Sequence, residues 1–529
     1  MEKLLVQKFG GTSLADAERI EAVADIIAKT ITEGHKVAVV LSAMGEETDR
    51  LIELAKSIHA EPNLREYDAL VSTGEQISVA LMAMALNKRS LKAKSYTAFQ
   101  LGIKTNKMHT SARIVDVKVD ELKKQLDNGV IPVITGFQGM NEEGDITTLG
   151  RGGSDTTGVA IAVALQADEC QIFTDVDGVF TTDPSTCSKA RLLDQVSFDE
   201  MLELSSTGAK VLQLRAVEYA SKYDMPIRVL SSFSAGEGTL VEEKDDMERP
   251  VISGISSIDT EAKLTIRGVP DLPGVAAKIL GPISDTGIDV DVIVQNISAD
   301  NTTDFTFTVD QNDASSAEKI LKETSESLGG GSVEVDDEIA KVSVVGRGMR
   351  GQSGIASKMF QALADHEINI LMITTSEIKI SVVIRKDLME KAVNALHDTF
   401  ELDKNLNTEM SILEIDQGVI RGFIFGLIHV SILIIGYYSG WSINRLLKLS
   451  SNGHISGIIG AVIAHIFADL IAAALDPTMR SAALGIVIGG AIPLLSIPLL
   501  ERYVTKSELH IMVGDHEDIE KDLNSSHEN

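Results

Sequence analysis

The fold class this 529-residue sequence predicts is α/β: a three-layer sandwich, two tandem βαββαβ units and a C-terminal all-α transmembrane region. Three observations carry the prediction. Strand-like apolar runs alternate with helical stretches over roughly the first 230 residues, the pattern of a largely parallel, helix-covered sheet. An internal repeat follows with a spacing of 80 residues. Three long apolar stretches then close the chain. The expected blocks are 1–235 for the sandwich, 236–250 as linker, 251–335 and 336–417 for the two units, 418–505 for about three transmembrane helices, and 506–529 as an acidic tail.

In the first block LLVQKF (4–9) reads as a strand, and KVAVVLSAM (36–44) is a second one followed by the helical TDRLIELAKSIHA. VIPVITGFQG (130–139) and CQIFTDVDGVF (170–180) are further strand-and-turn segments. The polar stretch 234–250 reads as a connector. Beyond it, residues 264–295 parallel 342–375, with Gly274 matching Gly354, Lys278 matching Lys358, Ile288 matching Ile368 and Ile293 matching Ile373. Each copy reads strand, glycine turn, helix, strand, and the strands DFTFTV and KISVVI complete ferredoxin-like units. Two such units packed together offer a natural ligand cleft.

Residues 422–441 and 481–500 carry no formal charge, and 453–475 carry only Asp469. Each is long enough to cross a bilayer, for which about 20 apolar residues suffice. Buried helices of a water-soluble domain are the competing reading, but three such stretches in succession leave no polar face. With 48 Lys and Arg against 77 Asp and Glu the net charge is -29, which excludes nucleic acid as a general partner. Only Cys170 and Cys187 are present, so no disulfide scaffold or Cys-rich zinc site is expected.

Five segments carry candidate chemistry. KFGGTS (8–13) places Lys8 and the Gly10-Gly11 turn before a helix, where backbone N–H groups approach an anion closely. TLGRGGSDTT (148–157) sets Arg151, Ser154 and Asp155 at a helix entrance; Arg151 fits a carboxylate clamp, and Asp155 also fits a simple N-cap. FTDVDGVFTTDP (173–184) brings Asp175, Asp177 and Asp183, which read equally as turn acids. Glu75 opens an apolar helix, where an acid ordinarily compensates the dipole. Lys210 follows a glycine and alone reads as a surface lysine.

Taken together, VQKFGGTSL, VVLSAMGEETDRLIELA, VSTGEQIS, ITGFQG, TLGRGGSDTT, TDVDGVFTTDP and ELSSTGAKVLQ make residues 3–415 resemble the aspartate kinase family. The resemblance implies an amino-acid-kinase sandwich with two ACT domains. It implies phosphoryl transfer from ATP with Mg²⁺ to the β-carboxylate of L-aspartate, giving 4-phospho-L-aspartate for lysine, threonine, methionine and diaminopimelate synthesis. By resemblance the catalytic set is Lys8, Arg151, Asp155 and Lys210. The substrate is positioned by Thr48, Glu75, Arg151 and Ser154. ATP is bound by Lys8, Phe9, Gly10, Gly11, Thr174, Asp175, Phe180, Asp183, Ser185, Lys210 and Val211. No resident metal site is implied. Phe180 stands where many relatives carry Tyr, Ser185 where they often carry Arg, and Ser353 where a Pro is common.

The same resemblance implies feedback inhibition by lysine, threonine or both, bound by Asp271, Gly274, Ala276, Gln295, Asn369 and Ile370, and a homodimer formed through the ACT domains. The apolar C-terminal region resembles no family. It implies contact with the lipid bilayer, in the inner membrane, with the kinase in the cytoplasm. Two alternatives stay open at this point: a kinase for another acidic amino acid, and a membrane sensor or transporter whose kinase and ACT parts only bind ligands.

Overall fold

The computed structural model describes residues 2–404 except 210, 244–251, 298–300, 350, 351 and 353. The first domain is built on an eight-stranded sheet. Its central strands, Leu4–Phe9, Lys36–Leu41, Ile131–Thr135 and Glu169–Thr174, are parallel neighbours of one another or of the adjoining strand. These strands are almost wholly buried, as near-continuous apolar runs require when both faces are covered. The Ala17–Thr32 and Thr73–Lys88 helices cover one face, and Gly153–Leu165 and Leu214–Tyr223 pack on the other. A smaller four-stranded sheet between residues 103 and 148 rises beside the strand ends.

One expectation is corrected at the end of this domain. Thr239–Val241, assigned above to the linker, is a strand of the main sheet, antiparallel to Ile227–Ser231 and parallel to Gln195–Val196. Three residues among polar neighbours carry too little periodicity to be read as a strand.

The two repeats form two four-stranded sheets, each with the order second, third, first, fourth strand when Gly254–Ile258 is counted as the fourth strand of the second sheet. In the first unit all four come from one run of chain: Glu261–Pro270, Ile293–Ile297, Thr302–Asp310 and Ser332–Asp336. In the second, Ile339–Val345, Met372–Thr375 and Lys379–Arg385 are completed by Gly254–Ile258, from upstream of the first unit. The boundary expected at 251 is therefore corrected. Gly254–Ile258 belongs to the second unit, and the first is inserted between that strand and the rest. The repeated glycines behave alike: Gly274 and Gly354 both cap helices in the left-handed region, at φ 90° and 97°. Glu261 and Lys341, 80 residues apart and so at equivalent positions, meet at the seam at 2.5 Å, where Asp291 also touches the lysine.

Among the described residues one helical stretch, Leu64–Lys88, is long and apolar enough to cross a membrane; more than half of it is buried in the first domain. The three C-terminal apolar stretches and the acidic tail lie outside the described residues.

Candidate active site

The site forms where the central strands end. Leu4–Phe9 delivers Lys8, which is buried with its ammonium 2.6 Å from Asp155 Oδ1. Asp155 is not the N-cap. The Gly153–Leu165 helix is capped by Gly152, in the left-handed region at φ 72° with no side-chain cap, and Asp155 lies in its first turn. A Cβ on Gly152 would stand 2.4 Å from Gln213 Cγ, so glycine is required there for space as well as for conformation. Asp155 Oδ1 has no aligned hydrogen bond, so its contact with Lys8 is one of charge, while Oδ2 accepts from Gln213 N at 3.4 Å. Gly158 lets this helix lie on the Lys8 strand: an added Cβ would come 3.2 Å from Lys8 Cβ. The helix N-terminus and the lysine thus offer positive potential to one cavity.

Glu75 is the second buried charge-bearing group. It is 2% exposed and its Oε1 accepts from Ala43 N at 3.2 Å, but Oε2 has no partner. Burial pushes its carboxyl up to about 8, against the pull of the Ala43 amide and its own backbone amide. Dipole compensation at a helix start, the ordinary reading, does not describe a carboxyl held this far from water.

A cavity of about 630 Å³ gathers Lys8, Gly11, Thr48, Glu75, Arg151 and Ser154, six of the residues singled out from sequence. Arg151 stands at its rim with a side chain 95% exposed, 3.9 Å from Asp49. Ser154 is buried, and close packing holds it: a Cβ on Gly136 would lie 2.6 Å from its Oγ. Three features were missed. Asp68, fully buried, accepts from Thr110 N at 3.0 Å and Thr148 Oγ1 at 2.6 Å, and meets His109 Nδ1 at 2.7 Å. Thr110 and Phe137 line the cavity with φ of 63° and 67°, a conformation costly for side chains of their shape. No local motif signals either, because the strain is imposed by distant partners.

Of the nucleotide candidates, Lys8 and Gly11 line that cavity, and the other described ones fall outside its lining. Thr174 is half-buried and donates to Asp175 Oδ1 at 3.1 Å; Asp175 is exposed. Phe180 is half-buried and bridges to Leu192. Asp183 Oδ1 accepts from Ser185 N at 2.8 Å and Ser185 Oγ at 2.7 Å, a local turn in which the serine takes part. The Phe9 side chain is fully buried and stacks on Phe173 at 4.5 Å, so it serves the core. Gly10 N donates to Phe173 O at 3.1 Å and so extends the sheet. Val211 packs against the core, and Lys210 lies outside the described residues. Among the described residues no group of three or more His, Cys, Asp and Glu is placed to hold a metal. A Mg²⁺ ion here would take its ligands chiefly from phosphate oxygens and water, as Mg²⁺ commonly does.

The effector candidates spread over both repeats. Gly274 caps the Val275–Ser284 helix, Asp271 N donates to Asn301 O at 3.0 Å, and Ala276 is half-buried. Gln295 is exposed on Ile293–Ile297, an outer strand of the first unit's sheet. Asn369 is exposed and Ile370 half-buried, just ahead of Met372–Thr375, an outer strand of the second. Ser353 lies outside the described residues.

A largely parallel sheet with a buried lysine–aspartate pair at a helix N-terminus, joined to paired βαββαβ units, defines an amino-acid kinase with ACT domains. The comparisons agree. The amino acid kinase family model matches residues 3–231, and ACT domain models match 264–326 and 342–400. An aspartate kinase of Pseudomonas fluorescens (strain SBW25) is 59% identical over 404 residues, covering 76% of this chain and 98% of its own. Aspartokinase 2 of Bacillus subtilis (strain 168) is 46% identical over 403 residues, covering 76% and 98%. The crystal structure of E. coli aspartokinase III with aspartate and ADP, in the R-state, superposes with a TM-score of 0.64 at 27% identity, covering 75% of this chain and 99% of that one. The same enzyme with lysine and aspartate, in the T-state, gives 0.62 at 26%, with the same coverage. The chain belongs to the aspartate kinase family and is a phosphotransferase.

Proposed function

We propose that the protein transfers the γ-phosphoryl group of MgATP to the β-carboxylate of L-aspartate, giving 4-phospho-L-aspartate and ADP. The observation that carries this reading is the cavity that joins a buried cation, Lys8, with a buried carboxyl that has one unpartnered oxygen, Glu75, and a rim cation, Arg151. An amino acid needs an acid for its ammonium and a cation for its α-carboxylate. Glu75 serves the first and Arg151 the second, with Thr48 and Ser154 as neutral donors. The β-carboxylate is already a nucleophile, so the site's work is to bring two anions together and neutralise charge on the transferring group. A carboxylate oxygen forms the new P–O bond as the bond to the ADP oxygen breaks, and no proton need move. Lys8, held by Asp155, faces that developing charge, and Asp175, Phe180, Asp183 and Ser185 take the nucleotide; Mg²⁺ carried in with ATP would supply further positive charge. Arg151→Ala should raise the KM for aspartate about 10- to 100-fold, the worth of a charged hydrogen-bonding pair, and leave Tm unchanged because its side chain is exposed. Substrate-dependent ADP release together with a thermal melt checks both.

The ACT pair is the regulatory part in this reading. The outer strands Ile293–Ile297 and Met372–Thr375 expose Ile293, Ile297 and Ile373, an arrangement suited to pairing with a second chain. We propose a homodimer there, with lysine or threonine bound by Asp271, Gly274, Ala276, Gln295, Asn369 and Ile370. Asp271→Ala or Gln295→Ala should raise the half-inhibiting concentration about tenfold with uninhibited kcat unchanged. Calorimetry that finds no aspartate-family amino acid binding would end this part of the reading.

The apolar stretches 422–441, 453–475 and 481–500 support a further proposal, that the chain is tethered to the inner membrane with the kinase facing the cytoplasm, where ATP and aspartate are available. Full-length protein should pellet with membranes and require detergent for release. A chain that stays in the high-speed supernatant without detergent contradicts the tether and leaves the kinase reading intact.

A further inference from the structure

The loop from Phe180 to Arg191 carries Asp183 and Ser185, yet its interior is built into the second ACT unit. Cys187 is 1% exposed and belongs to that unit's apolar core, beside Ile255, Val342 and Leu396. Thr181, fully buried, is held on three sides. Its carbonyl accepts from Ile255 N at 2.7 Å, its hydroxyl accepts from Arg191 N at 3.0 Å, and the same oxygen meets His397 Nε2 at 2.9 Å. His397 is fully buried on the Met389–Thr399 helix. One turn earlier Asn394 donates to Thr186 O at 3.0 Å.

The permuted strand explains how this joint arises. Gly254–Ile258 pairs with Ile339–Val345 along one edge and offers Ile255 N to Thr181 along the other. It also touches the loop leading to Val211: Ser256 Oγ hydrogen-bonds Thr207 Oγ1, and a Cβ on Gly208 would stand 2.3 Å from Ser257 O. One strand of the second ACT unit therefore backs both segments assigned above to the nucleotide.

We propose that His397 is a positioning residue for the nucleotide half of the site, acting through Thr181 on the loop that carries Phe180 and Asp183. This rests on the nucleotide assignment given under Proposed function. The hydrogen bond is buried and therefore not exchangeable for water, so its loss loosens the loop at its start, beside Phe180.

The test is steady-state kinetics on the full chain with ATP and aspartate varied separately. His397→Phe keeps an aromatic ring and removes the hydrogen bond; His397→Gln places an amide where Nε2 stood. His397→Phe should raise the KM for ATP about fivefold and hold the KM for aspartate within about twofold, and His397→Gln should restore most of the loss. Thr181→Val, which also removes the bond from Arg191 N, should raise the KM for ATP at least as much, and the double variant should be no worse than Thr181→Val alone. Equal changes in both KM values, or Phe and Gln variants that behave alike, overturn the proposal. Asp183→Ala separates the two readings. If it raises the KM for ATP while His397→Phe and Thr181→Val are silent, only the positioning role fails; if all three are silent, the nucleotide assignment fails with it.

Discussion

Lys8→Ala should lower kcat/KM about a thousandfold, the scale of removing one preorganised charge from a phosphoryl-transfer or oxyanion site. It should also destabilise the fold by about 3 kcal/mol, because Asp155 is left buried and unpaired. The two effects have different origins and separate experimentally. Adding Asp155→Asn removes the orphaned charge, so the double variant should recover most of the lost stability and none of the lost activity. Denaturant melts and ADP-release kinetics on the four proteins of the cycle measure both. If the double variant regains activity, Lys8 only neutralises Asp155 and plays no part in catalysis.

Glu75→Gln should act in opposite directions on stability and function. The folded carboxyl titrates near 8 and the ordinary value is 4.5. Between these values the folded protein holds a proton that the unfolded chain has lost, so stability falls as pH rises through that window. The difference corresponds to roughly 5 kcal/mol, present in full below about pH 4.5 and absent above about pH 8. Glutamine does not ionise. The variant should therefore match the wild-type protein near pH 4.5 and exceed its stability increasingly toward pH 8. Function moves the other way. The aspartate ammonium draws Glu75 into its charged form, so binding expels a proton, and wild-type affinity should rise with pH between about 6 and 8. Glu75→Gln should raise the KM for aspartate about a hundredfold and abolish that pH limb. A variant that keeps the limb would assign it to another group.

Much of this was legible in the sequence because the motifs sit at strand ends and helix starts, where residue type and local conformation are tied together. KFGGTS and GRGGSDTT announced an anion-handling turn, and the cavity does gather Lys8, Gly11, Arg151 and Ser154. The repeated Gly274 and Gly354 announced equivalent turns, and both adopt the left-handed cap. What stayed hidden depends on long-range contact. Glu75 looked like a dipole-compensating acid, since sequence does not show that Ala43 closes over it. Asp155 looked like a cap because its partner, Lys8, is 147 residues away in the chain. Asp68 gave no signal, since its partners come from a separate loop and strand. GISSI at 254–258 carries the pattern of a strand but not of which sheet, and only its pairing with Ile339–Val345 shows that one repeat is threaded through the other.

The central claim is that a carboxylate of aspartate receives the phosphoryl group, and the product's chemistry tests it directly. An acyl phosphate reacts with hydroxylamine to give a hydroxamate, whereas hydrolysis of ATP alone gives none. Full-length protein with MgATP, hydroxylamine and L-aspartate should form hydroxamate in step with ADP. Replacing aspartate by glutamate should stop both, and Lys8→Ala should reduce both together. ADP formation that is indifferent to aspartate, or that proceeds without hydroxamate, would contradict the account.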